Sequence, residues 1–217
     1  MSFTLAISKD RTPFLKNPLL WIMTLLFFML WAYTLIGTPD INNWILENVL
    51  VFLFLGFLFF TYKRYQFSDL TYLLIFIYLC LHVYGAQYTY AENPFGYWLK
   101  DKLDLERNHY DRIVHFSFGF LLAYPMRELF LKWVKFPTWV SWWLPIEITL
   151  SISGLYELIE WAVADVFFKE QGAAYLGTQG DVWDAQKDMF LATIGAILAT
   201  SIVSSIKSIF RIGYENN

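Results

Sequence analysis

The chain has 217 residues, of which 57% are hydrophobic, 21% aromatic and 16% charged, with a formal net charge of -3 and a mean hydropathy of +0.42. Soluble domains carry about 25% charged and about 45–50% apolar residues, so this composition cannot wet its own surface and points to a polytopic membrane protein. The slightly acidic balance, without a basic stripe, excludes a nucleic-acid partner, and one cysteine, Cys80, excludes an internal disulfide framework.

Six apolar stretches, at 18–36, 44–62, 69–87, 112–131, 142–168 and 188–209, come near or exceed the roughly 20 residues a helix needs to cross about 30 Å of hydrocarbon. Helix is the state lipid tolerates, because an open strand edge leaves amides unpaired. The first stretch follows Lys9, Arg11 and Lys16 but is longer than the ~7–15-residue apolar core of a signal peptide, and it reads as an uncleaved span. Lys and Arg set orientation. Ten fall on one side (Lys9, Arg11, Lys16, Lys63, Arg64, Arg127, Lys132, Lys135, Lys207, Arg211) and six on the other (Lys100, Lys102, Arg107, Arg112, Lys169, Lys187). The expectation is an all-α membrane bundle of six transmembrane helices, one domain over 1–217, with both termini cytoplasmic and the loops 88–111 and 169–187 outside.

Charge at the centre of a spanning helix costs about 2.5–3.5 kcal/mol on insertion scales, so where it persists is informative. His82 lies near the outer end of the third span. Asp111 and His115 enter the fourth, four residues apart, with Gly119 continuing their row. Glu157 and Glu160 lie in the outer half of the fifth, three apart. Asp181, Asp184 and Asp188 open the sixth, and Ala192, Gly195 and Ala199 continue that face inward. Spacings of three and four place side chains on one helix face, and small residues let membrane helices approach closely. Four helices therefore bring acid or imidazole to one depth, with Glu47 of the second span as a further contributor. Gly85 and Ala86 allow the same close approach beside His82. Glu128 and Glu147 lie near the cytoplasmic end and read as solvated. Phe52, Phe54, Phe57, Phe59 and Phe60 read as lipid-facing.

Familiar chemistries fail on their own requirements. Ser151–Gly154 has the look of a membrane serine-protease motif, but no histidine follows His115 to act as base. Three histidines are too few for a desaturase. Asp181, Asp184 and Asp188 lack the remaining Gly and Asp positions of the phosphatidyltransferase motif. Gly177–Asp181 lacks the Lys-Ser/Thr of a phosphate loop.

The residues allow three readings. One is a divalent-metal or acid–base site, with His82, His115, Glu157, Glu160, Asp184 and Asp188 as ligands for Zn or Mn. In it Glu157, Glu160 and His115 do chemistry on a lipid-linked or envelope substrate, and Arg107, Arg112, Asp111 and Asp181 hold a ligand. Another is an ion- or proton-coupled transporter using Glu157 and Glu160. The third is a non-enzymatic envelope protein that binds a lipid or small molecule or assembles with a partner, its polar cluster a hydrogen-bonded keystone that holds the bundle together. Membrane lipid is the partner common to all three.

Several blocks in order resemble one family. They are His82–Gly85, Tyr88–Glu92, Arg107–His115, Tyr156–Trp161 and Leu176–Met189, and they are similar to the signature blocks of the YjdF-like bacterial inner-membrane proteins. The Asp-Arg-x-x-His block at Asp111–His115 and the acidic entry to the last helix also resemble VanZ-like proteins. The resemblance implies a multi-pass inner-membrane bundle and carries over no catalytic residues.

Overall fold

A computed structural model describes residues 13–62, 65–167 and 178–209. Lys9, Arg11, Lys63, Arg64, Lys169 and Arg211 of the orientation argument lie outside these, as do Leu176 and Gly177 of the last motif block. Among the described residues there are seven α-helices and no strand: α1 Pro18–Ile36, α2 Ile41–Tyr62, α3 Asp69–Gln87, α4 Pro94–Leu103, α5 Tyr110–Glu128, α6 Thr138–Trp161 and α7 Asp184–Ile209.

The helix starts are written in the sequence. The Asn17 side chain accepts the Leu19 and Leu20 amides at 3.1 and 3.3 Å, with Pro18 in the first turn. That is the combination that satisfies orphan N–H groups and pre-sets φ. Asn17 also donates to Asp69 at 2.9 Å, which ties the start of α1 to the start of α3. Asn93 and Pro94 repeat the pattern at α4, a helix within the stretch expected to be loop. The expected ends of the fourth and fifth spans run past α5 and α6 because wider π-type turns, Leu129–Trp133 and Ala162–Phe167, continue both helices.

Four helices, α1, α2, α3 and α7, are long and apolar enough to cross a membrane. α5 and α6 have the length, 19 and 24 residues, but carry the acids and arginines that lower their hydropathy. α5 is the hub: it packs against α7 most extensively, and also against α3 and α6. An apolar core of Phe27, Val51, Ile75, Leu79, Val83 and Leu122 joins α1, α2, α3 and α5. Ala123, Ala196 and Ala199 seal α5 to α7. That contact is close because Gly119 and Gly195 interlock: a Cβ on Gly119 would strike the Ala192 carbonyl oxygen, and one on Gly195 the Phe116 carbonyl oxygen.

Three expectations need correction. Gly85 does not bring two helices together. It makes room for the Tyr90 ring, which a Cβ there would meet at 2.5 Å. Glu128 is not solvated but buried. It accepts from the Ser68 amide at 3.0 Å, the Ser68 hydroxyl at 2.7 Å and the Thr71 hydroxyl at 2.5 Å. A carboxylate suits this place because helix N-termini present unpaired N–H groups and positive partial charge. Its neighbour Arg127 stacks 3.7 Å over Trp142. Of the phenylalanine stripe, Phe52, Phe57, Phe59 and Phe60 are exposed, but Phe54 packs against the core.

Candidate functional site

The polar residues of α2, α3, α5, α6 and α7 meet at the end of the bundle that carries α4. They fall into three groups with different partners.

The first is a salt-bridge lattice. Arg107, just before α5, donates to both carboxylate oxygens of Asp184, at 2.5 and 3.3 Å, and to the Thr178 carbonyl at 3.0 Å. Arg112 donates to Asp181 and, at 3.2 Å, to Asp184. Lys187 donates to Asp181 at 2.6 Å. With Lys187, the Trp183 amide and Arg112 all donating to it, Asp181 is held well below the usual carboxylate range. His109, at the start of α5, is lowered by burial and by the neighbouring Arg112 and Arg107 guanidiniums. Gln179 and the Asn108 backbone exchange two hydrogen bonds of 2.9 Å, pinning the segment before α7 to the segment before α5. Asp184, expected as a metal ligand, is thus fully engaged by arginine. Arg107, Arg112 and Asp181, expected to hold a ligand, hold one another.

The second group surrounds His82. Its Nε2 lies 3.1 Å from the Glu47 carbonyl oxygen, which can only accept, so Nε2 carries the proton and Nδ1 accepts from the Tyr90 hydroxyl at 2.6 Å. Thr89 and Tyr90 both adopt left-handed backbone, φ 55 and 53, which costs roughly 1–2 kcal/mol per residue and turns the Tyr90 ring back onto α3. Both nitrogens of His82 are committed, so its expected place among metal ligands does not match the geometry. Glu47, a buried acid of α2, accepts from Tyr156 of α6 at 2.8 Å.

The third group has acids without cations. His115 Nε2 lies 3.5 Å from Asp111 and 3.6 Å from Glu157. One ligand atom each from Asp111, His115 and Asp188 fall within 4.8 Å of one another. Asp188 is 2% exposed, and its Oδ1 has no hydrogen-bond partner. Glu160 comes within hydrogen-bonding range of Glu157 and Tyr156. The i, i+4 spacing of Asp111 and His115 brings the first two together. The Gly119–Ala192 contact one turn below His115 brings Asp188, one turn above Ala192, to the same level.

A cavity of about 60 Å³ opens beside this group, lined by Asp111, His115, Ser153, Tyr156 and the apolar Val114 and Phe118 among others. Sequence reasoning missed Tyr90, Tyr156 and Ser153 as members of the region. Tyr90 and Tyr156 stand inside motif blocks already singled out, but nothing in a tyrosine's spacing says which acid or imidazole it meets.

These features define a class: a multi-pass helical membrane protein with a buried imidazole–carboxylate centre near one end. A family model for predicted membrane proteins, DUF2238, matches residues 19–208, and the chain belongs to that family. It is 38% identical over 194 residues to the inner membrane protein YjdF of Escherichia coli (strain K12), an alignment covering 88% of this chain and 90% of that protein. The YjdF-like resemblance carried by the motif blocks therefore holds, and the chain, like that relative, is an inner-membrane protein. No solved structure matches it.

Proposed function

We propose that the chain is a six-span inner-membrane protein, both termini cytoplasmic, that holds a divalent cation at Asp111, His115 and Asp188, with Glu157 as a fourth donor, near the outer leaflet. The observation that carries this reading is the unpartnered, buried Asp188 oxygen facing a histidine and a second carboxylate. Unpaired acids at this depth repel unless a proton or a cation lies between them. One imidazole with two or three carboxylates suits Zn or Mn. Bound at about 2.0–2.2 Å, such an ion would draw the three atoms closer than their present spacing, which side-chain rotation supplies. Its chemistry would be to polarise a bound oxygen or activate water, with Glu160, which is not among the donors, placed to take the proton.

The six-span topology is supported by α5 and α6 having spanning length while burying their charges against α3 and α7. The Lys/Arg excess on the other side supports the outward placing of the α4 end. The keystone reading applies to the Arg107–Arg112–Asp181–Asp184 lattice, where every charge meets an opposite one.

Metal analysis of purified protein after dialysis against Zn or Mn tests the proposal. One equivalent is expected, and it is lost in Asp188→Asn and His115→Ala while helicity is retained. Protein that retains no stoichiometric metal under either condition overturns it.

A further inference from the structure

The cavity beside Asp111 and His115 is not closed on all sides. Two residues of its lining, Leu50 on α2 and Ile152 on α6, are also exposed on the outside of the bundle, at 41% and 44%. A side chain that lines a cavity and also faces outward marks the mouth of that cavity. α2 makes only a modest contact with α3 and little or none with α6. Near the mouth, α2 and α6 are joined by the Tyr156–Glu47 hydrogen bond, one turn away on both helices. The gap therefore opens sideways from a spanning helix, α2, toward lipid. Inside it, Ser153 is 2% exposed and its hydroxyl has no hydrogen-bond partner. A buried hydroxyl without a partner forfeits roughly 1–3 kcal/mol unless something else binds it.

We infer that the gap between α2 and α6 is a lateral binding site for a membrane amphiphile with an uncharged, hydroxyl- or ester-bearing head, which reaches Ser153 and His115 while its chain lies against Leu50 and Ile152. This rests on the cation reading and gives it a ligand class. Size favours a small head: at roughly 10–15 Å³ per water-sized group, about 60 Å³ holds a glyceryl head. Charge limits it too. Asp111, Asp188 and Glu157 already balance or exceed a divalent ion. Arg107 and Arg112 are spent on Asp181 and Asp184, and among the described residues that line the cavity there is no Lys or Arg for an anionic head. A monoacylglycerol or long-chain alcohol meets both limits. Its oxygens would replace water at the cation and accept from or donate to Ser153, and its methylenes remain in hydrocarbon.

The test uses full-length, metal-loaded protein in phosphatidylethanolamine nanodiscs. One sample receives a monoacylglycerol bearing a diazirine near its head, another a fatty acid with the same tagged chain, and adducts are mapped by peptide mass spectrometry. The monoacylglycerol should label Tyr78, Phe118 or Ser153, about tenfold more than the carboxylate does, a difference of about 1.4 kcal/mol. Leu50→Trp with Ile152→Trp, both outward-facing positions, should abolish that inner labelling while leaving adducts on the lipid-facing Phe59 and Phe60. Adducts confined to Phe59, Phe60 and similar outward residues would overturn the lateral site. Equal labelling by the carboxylate would overturn the head class. Metal content is measured on the same samples. Bound metal without inner adducts sinks the lateral site alone, whereas inner adducts without metal sink the cation reading and leave the lateral site standing.

Discussion

The contact between α5 and α7 makes a quantitative prediction about Gly119. A methyl group at this position would overlap the Ala192 carbonyl oxygen and lie 2.8 Å from Ala192 C and Ala196 N, all backbone atoms of the facing helix. No rotamer relieves a clash with backbone, so the helices must separate, by about 1 Å or more to reach ordinary contact distance. Overpacking of this kind costs about 1–3 kcal/mol. Replacing glycine by alanine within a helix returns about 1 kcal/mol of propensity, so the net cost of Gly119→Ala is about 0–2 kcal/mol, and about 1–3 kcal/mol against a helical Gly→Ala change that meets nothing. For a chain of this size that lowers the melting temperature by up to about 8 °C against the parent. Gly56, on α2, has nothing within 4 Å of the same methyl and supplies the control: Gly56→Ala should be neutral or slightly stabilising. The assay is thermal unfolding in one detergent, followed by circular dichroism, for both variants and the parent. Metal content is read in parallel, because separating α5 from α7 also separates His115 from Asp188. If Gly119→Ala melts together with Gly56→Ala, the close approach is wrong, and with it the geometry assigned to the acid cluster.

Asp184→Asn removes the shared partner of Arg107 and Arg112 and leaves two largely buried guanidiniums short of charge, a loss of about 3 kcal/mol or more, read as a lower melting temperature. Asp188→Asn has the opposite sign in metal-free protein. It removes a charge facing other acids, relieving up to about 3 kcal/mol at a separation of about 5 Å and an effective dielectric constant of about 20, so the melting temperature should rise. Glu128→Ala strands the Ser68 amide and the Ser68 and Thr71 hydroxyls that now donate to it, at about 1–3 kcal/mol, with hydrogen exchange at the start of α3 as the local readout. Acid should loosen the α4 end in two stages, because His109 and Asp181 are both lowered in the folded protein. Each favours the deprotonated form when folded, so the stability each contributes is present above its unfolded value, 6.5 for His109 and 3.8 for Asp181, and falls as pH drops below it. A melting curve measured from pH 7 to pH 3 should show both stages, and His109→Gln should erase the upper one alone.

How much of this was legible in the sequence depends on which physical rule was asked. Lipid's intolerance of charge gave the depth of Asp111, His115, Glu157, Asp184 and Asp188, and helical spacing gave the face. Together they predicted convergence at one end of the bundle. Those rules say nothing about who meets whom. Asp184 and Asp188 lie one turn apart on the same face and look equivalent in the sequence, yet one is held by two arginines and the other by none. The difference arises before α5, where Asn108 and Gln179 lock two loop segments together and deliver Arg107 to the level of Asp184 but not of Asp188. Contacts that depend on loop conformation have no periodicity to read. His82 was misjudged for a related reason: its partner Tyr90 reaches it through two left-handed residues that no propensity rule places there. Glu128 was misjudged because a charge near a helix end reads as solvated, while the donors that bury it belong to another helix's first turn.

The partition of the acids is itself the argument for a site. A bundle that needed buried charge only for packing would pair each acid with a base or a helix terminus, as this one does at Asp181, Asp184 and Glu128. An unpaired acid is then a cost with no structural return, because breaking or omitting one partner of a buried pair is strongly destabilising. Asp188 is in that position a few ångströms from His115, with arginines close by that serve its neighbours instead. Supplying one more arginine would have removed the cost and filled the cavity. A bare Asp188 beside an open cavity is what the proposed cation site requires, and it is the point at which a purely architectural reading of the cluster does worst.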